Sequence, residues 1–171
     1  MYRKLQDAKR NYFFRFNRKG AIRQTKLSMG AAICQCKGCF KSRGLKMRVE
    51  TYIPGLSKNT VDIVKHAEAL GYDALVSGEL NNEPFLPVLM GLEHSQMIVR
   101  TGLAIAFPRS PMTVANMGWD LQSFGDGRFQ LGLGTQVKGH NERRFSVPWS
   151  PPAPRMREYI LAVKAIWNTW K

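Results

Sequence analysis

From residue 48 onward, short runs of apolar residues alternate with longer segments in which apolar residues recur every three or four positions. The short runs are typical of buried strands, and the periodic segments are typical of helices that pack against them. The strands are predicted at 48–53, 74–77, 98–107 and 128–133. Four strand–helix units in this order predict an α/β fold with a parallel sheet and right-handed crossovers.

The predicted helices begin at recognisable signals. Ser57 can cap the first helix, and Pro84 fits the first turn of the second. Ser110 and Pro111 open the third helix in the same way. After a proline-marked loop at 148–154, a last helix is predicted from seven apolar residues at helical spacing: Met156, Tyr159, Ile160, Val163, Ile166, Trp167 and Trp170.

These four units do not complete a TIM barrel, because a closed barrel needs eight units and typically about 250 residues. The sequence therefore predicts a partial TIM barrel in which strands 48–53 and 128–133 are open edges. Two interpretations remain open: the front half of a longer protein, as in a truncated chain, or a half barrel that pairs with another copy as a homodimer. A doubly wound open sheet is the structural competitor.

Charge divides the chain near residue 47. Residues 1–48 carry 14 Lys or Arg and one acid, Asp7, whereas residues 49–171 carry 12 bases and 11 acids. We therefore expect residues 1–46 to be a basic extension, disordered or poorly structured, and residues 47–171 to form the domain. A targeting peptide remains an alternative. So does an arm that binds nucleic acid, although nucleic acid is not the expected partner.

The three cysteines, Cys34, Cys36 and Cys39, all lie in this extension. A structural zinc site needs four ligands, and neither a histidine nor a fourth cysteine lies nearby, so no metal is expected. The remainder of the chain has no cysteine, which suits a reducing cytoplasm. No apolar run reaches the length of a membrane span, so no membrane partner is expected.

The segment 124–140 gives the strongest indication of a ligand site. Gly132 and Gly134 alternate with its apolar strand residues, and they leave room for a backbone to approach a flat ligand. Polar residues follow directly: Thr135, Gln136, Lys138 and His140. In a parallel α/β fold, the loop after a strand is where ligands bind. The alternative is a pair of packing glycines followed by a solvated loop.

Three segments also resemble a known family: GYDALVSGEL at 71–80, FPRSPMTVAN at 107–116, and the segment that begins GDGRFQLGLG at 125. From about Met47 to the end, the chain resembles the bacterial luciferase-like monooxygenase superfamily, and within it the oxidoreductases that depend on the deazaflavin coenzyme F-420. The resemblance implies a TIM-type barrel whose active site lies at the carboxyl ends of the strands. There a reduced deazaflavin, or FMN as the alternative, exchanges hydride or activates oxygen on a small-molecule substrate. A catalytically inactive half-barrel fragment remains an alternative.

The resemblance also assigns roles to single residues. Gly102 and Leu103 match a third-strand position where many relatives have a bulge or a non-prolyl cis peptide under the coenzyme ring. Thr135 and Gln136 match the position after the fourth strand that often contacts the ring or its ribityl chain. Glu79 stands where deazaflavin relatives often place a His or Asp, so it could transfer a proton or bond a ribityl or substrate hydroxyl.

His140 is the second candidate for proton transfer, because imidazole ordinarily titrates near neutrality and this histidine follows the glycine-rich strand. A surface or structurally bonded histidine is the alternative. Arg109, Arg143 and Arg144 could meet an anionic coenzyme tail or substrate, since guanidinium offers a rigid fork of donors. Solvated or paired arginines are the competing interpretation.

Overall fold

The computed structural model describes residues 12–16, 22–25 and 47–170. Strands and helices alternate through the main range, and two further strands lie in the extension. The strands are β1 (Tyr12–Phe16), β2 (Ile22–Thr25), β3 (Glu50–Ile53), β4 (Ala74–Ser77), β5 (Ile98–Thr101), β6 (Ala104–Ile105) and β7 (Phe129–Gly134). The helices are α1 (Thr60–Ala69), α2 (Phe85–His94), α3 (Pro111–Phe124), α4 (Lys138–Phe145) and α5 (Pro152–Thr169).

The strands from β3 to β7 form a parallel sheet, as the strand–helix pattern predicts. Its order is β7, β5, β4 and β3, and β6 pairs with the end of β7. Among the described residues, β3 has a neighbouring strand on one side only, so the sheet does not close. The predicted α/β fold with a partial barrel is therefore confirmed.

The third predicted strand, 98–107, is interrupted at Gly102 and Leu103. These two residues separate β5 from β6, and the peptide bond between them is cis, as the resemblance implies for this position. A Cβ atom at Gly102 would overlap the side chain of Val76 on the neighbouring strand. The prediction of one continuous strand was therefore wrong at this point, where the chain also changes its partner on β7.

The two faces of the parallel sheet differ sharply in polarity. One face lies under the helices and is buried; it carries Ile53, Leu75, Val99, Phe129, Leu131 and Leu133. The other face carries Tyr52, whose exposed fraction is 47%, and the partly exposed Val76, Arg100 and Gln130, which lie opposite one another across the strands. Glu50 on this face forms an ion pair with Arg100. In a closed barrel this polar face would be the interior.

The extension contributes a hairpin to the same sheet. Strand β1 pairs antiparallel with β2 and also with β7, where Tyr12 lies opposite Leu133 and Phe14 lies opposite Leu131. The prediction of an open edge at 128–133 was therefore wrong, because backbone groups of the extension pair with that edge. The expectation for the rest of residues 1–46, including the three cysteines, lies outside the described residues.

Helix α4 was not predicted from the sequence. Its eight residues are almost all polar, and only Asn141 is buried, so it lacks the apolar periodicity that identifies a helix. The predicted loop at 148–154 is also shorter in the structure, because α5 already begins at Pro152. Of the helices that the structure describes, none combines the length and apolar character needed to cross a membrane.

Tyr159 connects α5 to the start of α3, and its ionisation provides a test of the packing between these two helices. It is buried, and its hydroxyl donates a 3.3 Å hydrogen bond to the Ser110 carbonyl. Burial raises the pKa of Tyr159 well above its ordinary value, and this effect outweighs the opposing effect of the Arg109 guanidinium. A raised pKa in the folded state means that the neutral hydroxyl stabilises the fold at pH values below the ordinary pKa of about 10. That contribution is lost as the pH rises above this value.

We therefore expect the free energy of unfolding to fall more steeply above pH 10 in the wild type than in Tyr159→Phe. Phenylalanine keeps the buried ring but has no proton to lose. Urea unfolding followed by circular dichroism between pH 8 and pH 11 measures the two slopes. Equal slopes would show that ionisation of Tyr159 is not coupled to folding.

Candidate functional site

Backbone hydrogen bonds join the loops at the carboxyl ends of the parallel strands. Gly102 N–H donates to the Ser77 carbonyl at 2.7 Å, and Ala106 N–H donates to the Gly134 carbonyl at 2.9 Å. These bonds connect the segment after β5 with the ends of β4 and β7. We call the predicted site residues at this end of the sheet the strand-end site: Glu79, Gly102, Leu103, Thr135 and Gln136.

Leu103 packs across the end of β7. A Cβ atom at Gly134 would overlap Leu103 Cδ1 and would lie 2.7 Å from Leu103 Cδ2. The space at Gly134 is therefore filled by the Leu103 side chain, and the expectation that this glycine leaves an open approach for a ligand was wrong. Leu103 itself remains partly exposed. It is thus an apolar surface at the strand ends that a ligand can contact.

Glu79 holds the Leu103 segment through both its backbone and its side chain. Its N–H donates to the Leu103 carbonyl at 3.1 Å, and its Oε2 accepts a 2.7 Å hydrogen bond from Ile105 N–H. Arg109 donates to both carboxylate oxygens, at 2.7 Å from Nη1 to Oε2 and at 3.0 Å from Nη2 to Oε1. Only 5% of the Glu79 side chain is exposed. The geometry therefore gives Glu79 a positioning contact, and its assignment as a proton donor or acceptor remains a prediction.

The Arg109 guanidinium contacts several groups of the protein itself. Besides Glu79, it donates a 2.8 Å hydrogen bond to the Ile105 carbonyl and lies 3.5 Å from Glu83 Oε1. Its guanidinium carbon also lies 5.7 Å from the centre of the Phe85 ring. Of the two interpretations of this arginine, the structure supports the paired one rather than contact with an anionic ligand.

Asn141 of α4 holds the loop that follows β7. Its Nδ2 donates to the Thr135 carbonyl at 2.9 Å, and it lies 3.3 Å from the Val137 carbonyl and 3.5 Å from that of Gln136. Gln136 has φ of 57°, a left-handed conformation that is costly for a residue with a Cβ atom. Asn141 is buried, so its amide group fixes this unusual loop without solvent competition.

We expect Asn141→Ala to lower the free energy of unfolding by about 2 kcal/mol, because it leaves carbonyl groups without their donor. Asn141→Asp should be more damaging although it matches the size of asparagine. It places carboxylate oxygens against carbonyl oxygens in a buried position. Urea unfolding of the two variants measures the order. An aspartate variant as stable as the wild type would contradict the role of the amide donor.

His140 lies in α4 rather than in a loop, and it borders a pocket whose lining residues follow strand-end site residues closely in the sequence. The pocket has a volume of about 400 Å³ and is open to solvent. We call it the arginine pocket; its lining residues are Asn81, Gly139, His140, Arg143 and Arg144. Asn81 comes from the loop after β4, two residues beyond Glu79. The structure thus brings His140, Arg143 and Arg144 together with the loop that carries Glu79.

Two contributors to this site were not found from the sequence. Asn141 is one polar residue among several in α4, and no local pattern marks it as the buried one. The pairing of Glu79 with Arg109 joins residues 30 positions apart, and only the fold brings them together. In the parts of the chain that the structure describes, no cluster of His, Cys, Asp and Glu can hold a metal ion.

A repeat of parallel strands and helices, with the helices on one face of the sheet, is the architecture of TIM-type α/β proteins. The structure places this chain in that class as an open half barrel. The sequence profile of the luciferase-like monooxygenase family matches residues 47–171. The chain belongs to that family, and the resemblance noted in the sequence is confirmed.

Similar curated proteins are found in two mycobacteria. Uncharacterized proteins of Mycobacterium bovis and Mycobacterium tuberculosis are 44% identical to this chain over 127 residues. The match covers 74% of this chain but 37% of each relative, so the chain spans little more than a third of their length.

Two solved structures share the fold. One is the monooxygenase RslO1 from Streptomyces bottropensis, with a TM-score of 0.63 and 16% identity over 71% of this chain and 43% of that one. The other is the oxygenating constituent of 3,6-diketocamphane monooxygenase from Pseudomonas putida, a type II Baeyer-Villiger monooxygenase in complex with FMN. Its TM-score is 0.61 at 17% identity, over 71% of this chain and 40% of that one. At such low identities, these likenesses support the fold alone.

Proposed function

We propose that this chain binds a flavin-type coenzyme between the strand-end site and the arginine pocket, as part of an oxidoreductase that acts on a small-molecule substrate. The deazaflavin F-420 is the first candidate, and FMN is the alternative. The observation that carries the proposal is the arginine pocket, in which Arg143 and Arg144 of α4 meet Asn81 of the loop after β4. Membership of the luciferase-like monooxygenase family supports it.

The residues present fit such a coenzyme in size and in chemistry. Ligand pockets commonly have volumes of about 300–1,000 Å³, and the arginine pocket falls in that range. Guanidinium groups suit phosphate, which both coenzymes carry, because they donate in a planar fork. The Arg144 guanidinium lies 4.9 Å from the centre of the Phe145 ring, a contact that limits its freedom before a ligand arrives.

Four residues of the strand-end site have a role in this proposal. Leu103 offers an apolar surface for a planar ring, and its contact with Gly134 fixes the position of the Leu103 side chain. Thr135 and Gln136 can bond hydroxyl groups of a ribityl chain. Glu79 acts as a positioning residue, because its hydrogen bonds hold the Leu103 segment in place.

When bound, the coenzyme supplies the redox chemistry, either hydride transfer or activation of oxygen. The protein then needs a group that can give or take a proton at the edge of the pocket. His140 is exposed and lines the arginine pocket, so we propose that its imidazole performs this task.

The test is a fluorescence titration of the purified chain with F-420 and, separately, with FMN. We expect saturable binding of one coenzyme, weakened about 10- to 100-fold in Arg143→Gln/Arg144→Gln, because two charge-assisted hydrogen bonds are lost. The matched control is Lys65→Gln/Arg157→Gln, which removes the same charge from exposed positions on α1 and α5. Binding of neither coenzyme by the wild type, or equal affinities in the two double variants, would contradict the proposal.

A further inference from the structure

The side of β7 that faces away from β5 is the edge at which a closed barrel would add its next parallel strand. In this chain that edge is occupied by β1, which runs antiparallel to it. The pairing is therefore different in direction from the one that barrel closure needs. The pairing also involves part of the basic extension, which contributes no residue to the proposed coenzyme site.

The hydrogen bonds of β7 show which of its backbone groups face this edge. Gly132 uses both its N–H and its carbonyl, each at 2.8 Å, with the hydroxyl of Thr101 on β5. The Gly134 carbonyl likewise faces away from β1, since it accepts from Ala106 N–H. Backbone groups of successive residues in a strand point to opposite sides. Leu131 and Leu133 therefore direct their N–H and carbonyl groups toward β1, where they lie opposite Phe14 and Tyr12.

We propose that residues 12–16 are an intramolecular cap for the β7 edge, and that without this cap a second copy of the chain pairs there. An uncapped edge presents a row of unpaired N–H and carbonyl groups, which is a template for association. The flanking residues Leu131 and Leu133 are apolar and buried, so β7 has no charged side chain among them to discourage pairing. The extension thus keeps the open half barrel from associating through this strand.

Amide hydrogen exchange measured by NMR on the full chain tests the cap. In the wild type, the Leu131 and Leu133 amides should be protected to a degree similar to the Gly132 amide. In Phe14→Pro they should exchange at least about 10-fold faster, because proline removes a backbone donor that faces β7. The Gly132 and Ala106 amides are internal controls, since their partners lie in other parts of the fold.

Light scattering coupled to size-exclusion chromatography supplies the second measurement. Phe14→Pro should increase in mass with concentration toward that of a dimer, whereas the wild type and Ser28→Pro, a proline control outside both strands, should remain monomeric. Unprotected Leu131 and Leu133 amides in the wild type would overturn the proposal, even if Phe14→Pro failed to fold. Unchanged exchange and unchanged mass in a folded Phe14→Pro would also overturn it. Neither result depends on coenzyme binding.

Discussion

Trp167→Ala is expected to lower the free energy of unfolding by about 3 to 5 kcal/mol, the usual cost of removing a fully buried tryptophan. Trp167 has no exposed surface and lies between α5 and α3. A Cβ atom at Gly118 would come within 3.0 Å of its Cζ2, so α3 has a glycine where the ring packs. Its Nε1 also donates a 2.9 Å hydrogen bond to the Ala115 carbonyl. Urea unfolding followed by circular dichroism measures the loss.

Trp170→Ala provides the matched control for this prediction. Trp170 lies three residues further on, is 38% exposed, and makes an edge-to-face contact with Trp119 at a centroid distance of 5.5 Å. Its removal should cost about 1 kcal/mol, because an exposed ring loses little on truncation. Equal losses in the two variants would contradict the packing of α5 against α3.

Glu79→Ala is expected to lower the free energy of unfolding by about 3 kcal/mol, because removing one partner of a buried ion pair leaves the other uncompensated. Arg109 would keep its contact with Glu83, but that carboxylate is 3.5 Å away and 40% exposed. The Ile105 N–H would also lose its acceptor. Glu79→Ala should also bind the coenzyme more weakly, because the Leu103 segment loses the side-chain hydrogen bond that holds it in place.

A double-mutant cycle separates the ion pair from the other contacts of Glu79. Arg109→Ala should be strongly destabilising alone, and the double variant should be less destabilised than the sum of the two single variants. Glu93 is an exposed carboxylate in α2 and serves as the control. Glu93→Ala should change the free energy of unfolding by less than about 0.5 kcal/mol. Additive losses in the cycle would show that the two residues do not act as a pair.

Elements with strong local signals were predicted well from the sequence. Strand β4 runs from Ala74 to Ser77 as predicted, and α3 begins at Pro111 after Ser110, whose side chain accepts a hydrogen bond from Thr113 N–H. Capping and proline signals act within a few residues, so they can be recognised without knowledge of the fold.

The elements that sequence reasoning missed depend on long-range contacts. The pairing of β1 with β7 joins positions more than a hundred residues apart, and no local pattern in the extension indicates which strand it meets. Helix α4 is held to the loop by Asn141 rather than by an apolar face, so it has no periodic signal.

The candidate site was predicted in outline but not in its contacts. The resemblance indicated the loops that carry Glu79, Leu103 and Gln136, and the structure brings these loops to one edge of the sheet. The sequence could not show that Glu79 pairs with Arg109. A glutamate in a loop can equally be paired with a distant residue or exposed to solvent, and the sequence around it is the same in both cases. Burial and partners are properties of the fold, and they decide which of these tasks a carboxylate can perform.

We propose that a flavin-type coenzyme binds between the strand-end site and the arginine pocket. An NMR titration of the isotope-labelled chain with F-420, and with FMN in a parallel sample, tests its location directly. We expect the largest amide shifts at Leu103, Thr135, Gln136, His140 and Arg144, with small shifts along α1. Shifts confined to other parts of the chain, or none with either coenzyme, would contradict the proposed binding site.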